Sequence, residues 1–200
     1  MADIGICVGI KNRTDRLLQC LIKSMCLCTD KDQLTLSIYD CGSEDDVKSQ
    51  IEKVWPGKLI FTSRQEKFTR SHSINAAVMQ CPTPQVFLCD VDMTLPVDFV
   101  SQFLANVGPG KVWFPICFTL RKGKPKEVTV INGWWRDTGF GMAGLLRSDF
   151  LTVGGLDLKF IRWGGEDSDI HDRCKNAGFT VVRENCTGLF HNWHRRQDWE

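Results

Sequence analysis

Residues 86–92 read Val86-Phe87-Leu88-Cys89-Asp90-Val91-Asp92, and this stretch decides the fold. A short apolar run that ends in two carboxylates reads as a buried strand over Val86–Cys89, delivering Asp90 at its carboxyl end. Alternate residues on a strand share a face, so Asp90 and Asp92 are expected to reach one ion or its waters. Hard oxygen ligands favour Mg²⁺ or Mn²⁺, with phosphate oxygens completing the shell. The competing reading is a surface turn ahead of a helix near Pro96. The D-x-D spacing also occurs at Asp30-Lys31-Asp32, in a polar turn, and at Asp167-Ser168-Asp169. Only the triplet at 90–92 follows an apolar run.

Upstream of this strand, strand-like and helix-like segments alternate. Ile4–Ile10 suits a buried strand, and Thr14 is placed to cap a helix whose apolar stripe is Leu17, Leu18, Leu21, Ile22 and Met25. Leu34, Leu36 and Ile38 mark a second strand ending at Asp40. Ser43 is expected to cap a helix through Val47, Ile51 and Val54, stopped by Pro56-Gly57. Leu59–Phe61 reads as a third strand and Ser71–Met79 as a helix. Downstream, Phe99, Phe103, Leu104 and Val107 mark another helix, closed by Gly108-Pro109-Gly110, and Lys111–Phe118 reads as a strand. Repeated strand–helix–strand units predict an α/β fold with a mostly parallel, Rossmann-like central sheet flanked by helices. Ligands of such sheets bind at the carboxyl ends of the strands. Asn12, Arg13, Asp40, Asp90 and Asp92 all fall just past such ends, so one cleft is expected to collect them.

Beyond Arg121 the alternation breaks down, and glycines and aromatics crowd residues 133–165. This loop-rich half contains Trp163-Gly164-Gly165-Glu166-Asp167. Two glycines let backbone approach a bulky ligand, and Trp163 offers a flat apolar face for a sugar ring. Glu166 and Asp167 open a predicted helix over Asp167–Asn176, where the helix dipole favours the carboxylate form. An acidic first turn behind a simple bend remains the plainer alternative. After a strand at Thr180–Val182 comes Leu189-Phe190-His191-Asn192-Trp193-His194, whose imidazoles are candidates to finish a carboxylate-poor metal site. His72 and His171 fall on predicted helices and receive no role.

Composition bounds the rest. The chain has 200 residues, 42% of them hydrophobic and 24% charged, with a net charge of +1. That is enough for one domain with a sizeable core, and it provides no global field toward nucleic acid or membrane. Residues 1–200 are expected to form a single domain, with a nucleotide-type half at 1–115 and a loop-rich half at 116–200. A longer native chain is left open. The basic runs Arg121-Lys122-Gly123-Lys124-Pro125-Lys126 and His194-Arg195-Arg196 stand out locally, and the first reads as a solvated loop. Ten cysteines lie scattered, several in apolar runs, without a C-x-x-C pair, and no secretory leader is expected ahead of them. They read as buried thiols of a reducing, cytoplasmic compartment. No stretch approaches the ~20 apolar residues of a membrane span.

The motifs taken in order resemble the nucleotide-sugar glycosyltransferases of the GT-A fold, in particular the β-1,4-galactosyltransferase and bacterial chondroitin polymerase group, for which W-G-G-E-D is a hallmark. On overall impression the chain also resembles a chlorella-virus glycosyltransferase domain, and a bacterial or viral glycan enzyme is the expected setting. The similarity covers nearly the whole chain in motif order and concentrates at five short segments. Ile10-Lys11-Asn12-Arg13 looks like the uridine-contacting turn. Asp40-Cys41-Gly42-Ser43-Glu44-Asp45 resembles D-x-G-S-x-D, whose first Asp meets uracil. Phe68-Thr69-Arg70-Ser71 with Asn75 is similar to the segment lining the nucleotide site. The resemblance also places Asp90 and Val91 at the nucleotide. It implies Asp92 as the direct metal ligand, with His191 as the last one. The galactosyltransferases add a methionine ligand that this chain lacks, which leaves His194 as the fallback.

By the same resemblance the enzyme moves a sugar from a UDP-sugar to a hydroxyl of a glycan or glycoprotein acceptor, with inversion and with Mn²⁺ (or Mg²⁺). Asp167 is the implied base, and Glu166 positions donor or acceptor. Trp163, Gly164, Gly165, Trp134 and Trp135 border the sugar pocket. Three other readings compete. A sugar-phosphate nucleotidyltransferase would open with a Gly-rich, basic loop, of which Gly9–Arg13 is only a trace. A glycosidase needs carboxylates flanking the bond, whereas Glu166 and Asp167 are adjacent. A non-catalytic glycan-binding module would explain the tryptophans but not the carboxylate and histidine order.

Overall fold

Seven strands form the larger of two sheets in the computed structural model, which describes residues 3–162 and 164–195. In chain order the strands are β1 (Ile4–Ile10), β2 (Leu34–Asp40), β3 (Lys58–Ser63), β4 (Gln85–Leu88), β5 (Met93–Thr94), β6 (Lys111–Trp113), β7 (Ile116–Leu120), β8 (Gly133–Trp135), β9 (Ala143–Leu146), β10 (Thr180–Val182) and β11 (Asn185–His191). The large sheet runs β10-β6-β9-β4-β1-β2-β3, and the small one β5-β11-β7-β8. β3, β2, β1 and β4 are mutually parallel, and β9 enters antiparallel between β4 and β6. The expected mostly parallel α/β architecture is therefore present. β1 and β2 are apolar or small on both faces because both faces are covered, and even Thr35 and Ser37 of β2 are buried.

The expected Lys111–Phe118 strand is two strands in different sheets. Pro115 lies at the break, and a proline has no N–H with which to continue a ladder. Helix starts also differ from expectation. Arg13, not Thr14, is the cap of the first helix, which spans residues 14–27 with a π-type middle at Leu17–Ile22. Asp46 rather than Ser43 caps the helix Val47–Glu52, accepting from the Ser49 N–H, because Ser43 is engaged by Asp40. The helices Arg70–Gln80, Phe99–Asn106 and Glu166–Asn176 lie where the apolar pattern put them.

Phe87 anchors the core beneath the site. Its ring meets Phe99 at 5.0 Å, Trp113 at 5.9 Å and Phe103 at 6.4 Å, and all four are fully or almost fully buried. Phe87→Ala would leave a void that fixed neighbours cannot fill, so a loss of about 3–5 kcal/mol in denaturant unfolding is expected. A loss below about 1 kcal/mol would mean that the aromatic cluster repacks freely.

Candidate active site and metal centre

At the carboxyl end of β4 the chain does not stay extended. Asp90, Val91 and Asp92 form a turn that the Met93 N–H closes on the Asp90 carbonyl at 3.4 Å, and Val91 is buried. The period-two argument that put both carboxylates on one ion fails for this reason. Asp90 turns to Arg70, whose Nε donates to its Oδ1 at 2.9 Å. Asp92 turns the other way, toward the end of β11. Asp90 is therefore not among the side chains gathered for a metal.

That gathering consists of Asp92, His191 and His194, whose donor atoms lie within 4.8 Å of one another. β11 runs beside β5, with His191 opposite Met93, and so brings its end to the 90–92 turn. Asn192, to which sequence reading gave no role, locks the junction. Its backbone N–H and its Nδ2 both donate to the Asp92 carbonyl, at 2.9 and 2.7 Å. His194 Nε2 stands 3.0 Å from Asp92 Oδ2, and His191 Nε2 3.8 Å from Oδ1. Arg13 Nη1 approaches Oδ2 at 3.4 Å. His194, the fallback ligand, is thus as well placed as His191.

The donor set fits a divalent cation. Asp92 Oδ1 and His191 Nδ1 are buried without a hydrogen-bond partner, which is costly for polar atoms unless something else satisfies them. Burial acts to raise the Asp92 carboxyl, but the His194 hydrogen bond and the charges of His191, His194 and Arg13 outweigh it and hold it below its usual value. Burial pushes the His191 imidazole down against the pull of Asp92, which favours the neutral form that ligates. The hydrogen bond to Asp92 pushes His194 up. The Nδ1 of His194 faces the Arg195 carbonyl at 3.0 Å, an outer contact that orients the ring with Nε2 toward Asp92.

A second cluster faces the first across the turn. Arg70 bonds Asp90, lies 3.8 Å from Glu166 Oε1 and donates to the Gly141 carbonyl. Burial opposes its charge, and Asp90, Glu166 and Asp167 more than compensate, so the guanidinium stays protonated. Glu166 is 5% exposed and accepts from the Gly164 N–H at 3.1 Å. Its carboxylate thus fixes the turn of Gly164 and Gly165, whose φ values of 103° and 97° are left-handed. Trp163 lies outside the described residues, as does Arg196 of the second basic run. Asp167 opens the helix half-exposed, with Oδ2 accepting from Phe140 N–H and Oδ1 from Ser168 N–H, both at 3.0 Å.

Sequence reading missed what holds Phe140. Its ring stacks on His171 at 4.0 Å and lies under the Arg183 guanidinium at 4.1 Å, while Arg183 also bonds the carbonyls of Asp137 and Gly139. His171 and Arg183 therefore steady the 137–141 loop against Asp167. An aromatic between two glycines was the available signal. Gly141 lies amid the cluster, its Cβ direction 3.6 Å from Asp90 Oδ2 and 3.9 Å from Asp167 Oδ2.

At the strand ends expected for nucleotide, Asn12 (φ 53°) clamps the neighbouring loop. Its N–H donates to Ser43 Oγ at 2.8 Å, and its Oδ1 accepts from Glu44 N–H at 2.9 Å. Asp40 is buried and accepts from Ser43 and Ser63, and Lys11 donates to the Glu66 carbonyl at 2.9 Å. Asn75 does not reach the cleft. Both ends of its amide are engaged by the Leu156 main chain at 2.8 Å, so it fastens the 153–158 loop to the helix Arg70–Gln80. Trp134 is about half exposed, while Trp135 packs edge-on against Phe118.

The sheet, the carboxylate–histidine centre and the facing acidic turn together define a glycosyltransferase of the GT-A class. The family model for chondroitin N-acetylgalactosaminyltransferase matches residues 3–198, and the chain belongs to that family. It is 32% identical to human chondroitin sulfate N-acetylgalactosaminyltransferase 2 over 97% of this chain, and 28% identical to the human type 1 enzyme, also over 97%. It spans 40% and 41% of the length of these two relatives. Among solved structures, GalNAc-T7 with UDP, GalNAc and Mn²⁺ superposes with a TM-score of 0.75 at 12% identity, covering 96% of this chain and 44% of that one.

These relatives overturn the cytoplasmic expectation, since chondroitin N-acetylgalactosaminyltransferases are Golgi enzymes facing the lumen. The cysteines misled for a physical reason. All ten are unpaired, and nine are buried. Burial pushes thiols such as Cys28 up to about 12, whereas hydrogen bonds from Cys7 and Thr83 draw Cys81 down to about 6; buried thiols of either kind serve as packing groups and do not report the compartment. The named relatives are human and lend no support to a viral or bacterial setting. Among the described residues no helix is long and apolar enough to cross a membrane.

Proposed function

We propose that this chain is the catalytic unit of a Mn²⁺-dependent, inverting transferase that moves N-acetylgalactosamine from its UDP ester to a hydroxyl of a chondroitin-type chain. The observation that carries this reading is the Asp92–His191–His194 centre facing Asp167 across the Asp90 turn, within this family's fold. Asp92, His191 and His194 would hold the cation. Bound there, it supplies positive charge against the negative charge that builds on the leaving diphosphate.

The chain's own groups do the rest. Arg13, beside Asp92, and Arg70, beside Asp90, are fixed cations at the mouth of β4, suited to diphosphate oxygens. Lys11, Asn12 and Asp40 frame the base, and Asp90 and Val91 the ribose side. Asp167 is kept in place by the Phe140 and Ser168 N–H groups with oxygen lone pairs to spare. It takes the acceptor hydroxyl proton as that oxygen bonds the anomeric carbon. The bond from that carbon to the phosphate oxygen breaks in the same displacement, its electron pair leaves on UDP, and the configuration inverts. Glu166, Gly164 and Gly165 shape the turn behind the sugar, with Trp134 and Trp135 at its border.

The test is a panel of UDP-GalNAc, UDP-GlcNAc, UDP-galactose and UDP-glucose with a chondroitin oligosaccharide, with and without Mn²⁺. UDP release and the anomeric configuration of the product are read together. Metal-dependent β-linked transfer from UDP-GalNAc is expected. Preferential transfer from another donor, or an α-linked product, would overturn the assignment.

A further inference from the structure

The basic run at 121–126 is the exposed loop its composition suggests, and it is an ordered one. It is folded by turns closed from Lys124 N–H to the Arg121 carbonyl and from Asn132 N–H to the Thr129 carbonyl, on the tip of the β7–β8 hairpin. There it faces Arg16 of the first helix and the Asn192–Trp193 segment across a cleft of about 230 Å³. Arg16, Arg121, Lys124 and Lys126 line this cleft. Among the described residues no carboxylate comes within ion-pair range of these four. Glu127 is the single acidic residue of the 121–131 stretch. Lys126 donates to Thr94 Oγ1 at 2.8 Å, a neutral partner, with the like charge of Lys23 nearby. Two exposed indoles border the same surface. Lys122 lies over Trp193 at 5.2 Å and Arg121 over Trp134 at 5.3 Å.

Cations that no described carboxylate offsets, concentrated on one face of a nearly neutral protein, repel one another and lower their cost by taking up an anion. Indole faces beside cations suit flat, partly apolar rings that carry charge at their edges. The cleft lies beside the metal centre, since Asn192 lines it and holds the Asp92 carbonyl. We propose that this cleft is an exosite for an anionic polysaccharide, holding carboxylate- or sulfate-bearing sugars of a chain whose end is extended at Asp167. The inference rests on the transferase reading for the purpose of the exosite, but not for its binding.

The test uses Arg121→Ala/Lys124→Ala/Lys126→Gln. Binding of a fluorescent chondroitin sulfate chain is measured by anisotropy without donor, and transfer is measured with disaccharide and long acceptors. The expected result is roughly a three- to hundredfold weaker affinity for the long chain, lessened at high salt, from three exposed charge contacts. Transfer to the disaccharide and Mn²⁺–UDP binding should stay at wild-type levels. Unchanged chain binding in the variant would overturn the exosite. So would wild-type affinity for polyglutamate, for single-stranded oligonucleotide or for neutral dextran equal to that for the polysaccharide. If the wild type transfers no sugar from any donor, the anisotropy result still decides the exosite, so the two failures are distinguishable.

Discussion

Asp92→Ala is expected to abolish Mn²⁺-dependent binding of UDP and, with it, transfer. Asp92 supplies the only carboxylate of the three-residue centre, and its removal leaves two imidazoles with no anionic ligand for a hard cation. Calorimetric titration of UDP with and without Mn²⁺ reads the effect directly. Thermal unfolding gives an independent control. A ligand that binds only the folded state raises stability by about 2.7 kcal/mol at a hundred times its Kd, so Mn²⁺ should raise the Tm of the wild type and not of the variant. The metal-free variant should unfold somewhat earlier than the wild type, because the ionised Asp92 is held by His194, His191 and Arg13 and its loss takes that partner from a buried charge cluster, so the Mn²⁺-induced shift is read against each protein's own metal-free Tm. Undiminished Mn²⁺–UDP affinity in Asp92→Ala would place the metal elsewhere.

Asp167→Asn should lower kcat by ~10²–10⁴-fold while leaving the KM for UDP-sugar near its wild-type value. The substitution is conservative in shape. An asparagine Oδ1 accepts the Phe140 N–H as the carboxylate does, so the 137–141 loop and its stack on His171 keep their positions, and only the exposed contact from the Ser168 N–H is given up. What is lost is the capacity to take a proton. Retained turnover would remove Asp167 as the base. A matched collapse of kcat and of Tm would instead make it a fastener of the loop. Glu166 is the natural comparison, since its burial against Arg70 and the Gly164 N–H makes it a positioning group.

Much of this was legible in the chain itself. The apolar run before Asp90 fixed a central buried strand, and the alternation of strand and helix patterns up to residue 113 fixed the mostly parallel sheet, because burial on one or both faces writes a period into sequence. The acidic turn behind Gly164-Gly165 and the histidines after β11 were visible for a similar local reason, since unusual residue types cluster where the chain departs from plain packing. Local patterns could not decide which polar atoms meet. Asp90 and Asp92 part ways because a turn, rather than a strand, carries them, and Asn75 is engaged by Leu156, which is 81 positions away in sequence. His194 joins Asp92 only because Asn192 ties β11 to the 90–92 turn. Arg183 and His171 come together only through the fold, which encloses Phe140 between them. The sequence by itself thus determined the parallel strands of the large sheet, the helices beside them and the chemical types present at the cleft, but not the antiparallel β9 or the second sheet. The tertiary structure alone decided which of the candidate ligands gather and how Asp167 is oriented, because hydrogen bonds and ion pairs act over about 3–4 Å and depend on contacts between residues far apart in the chain.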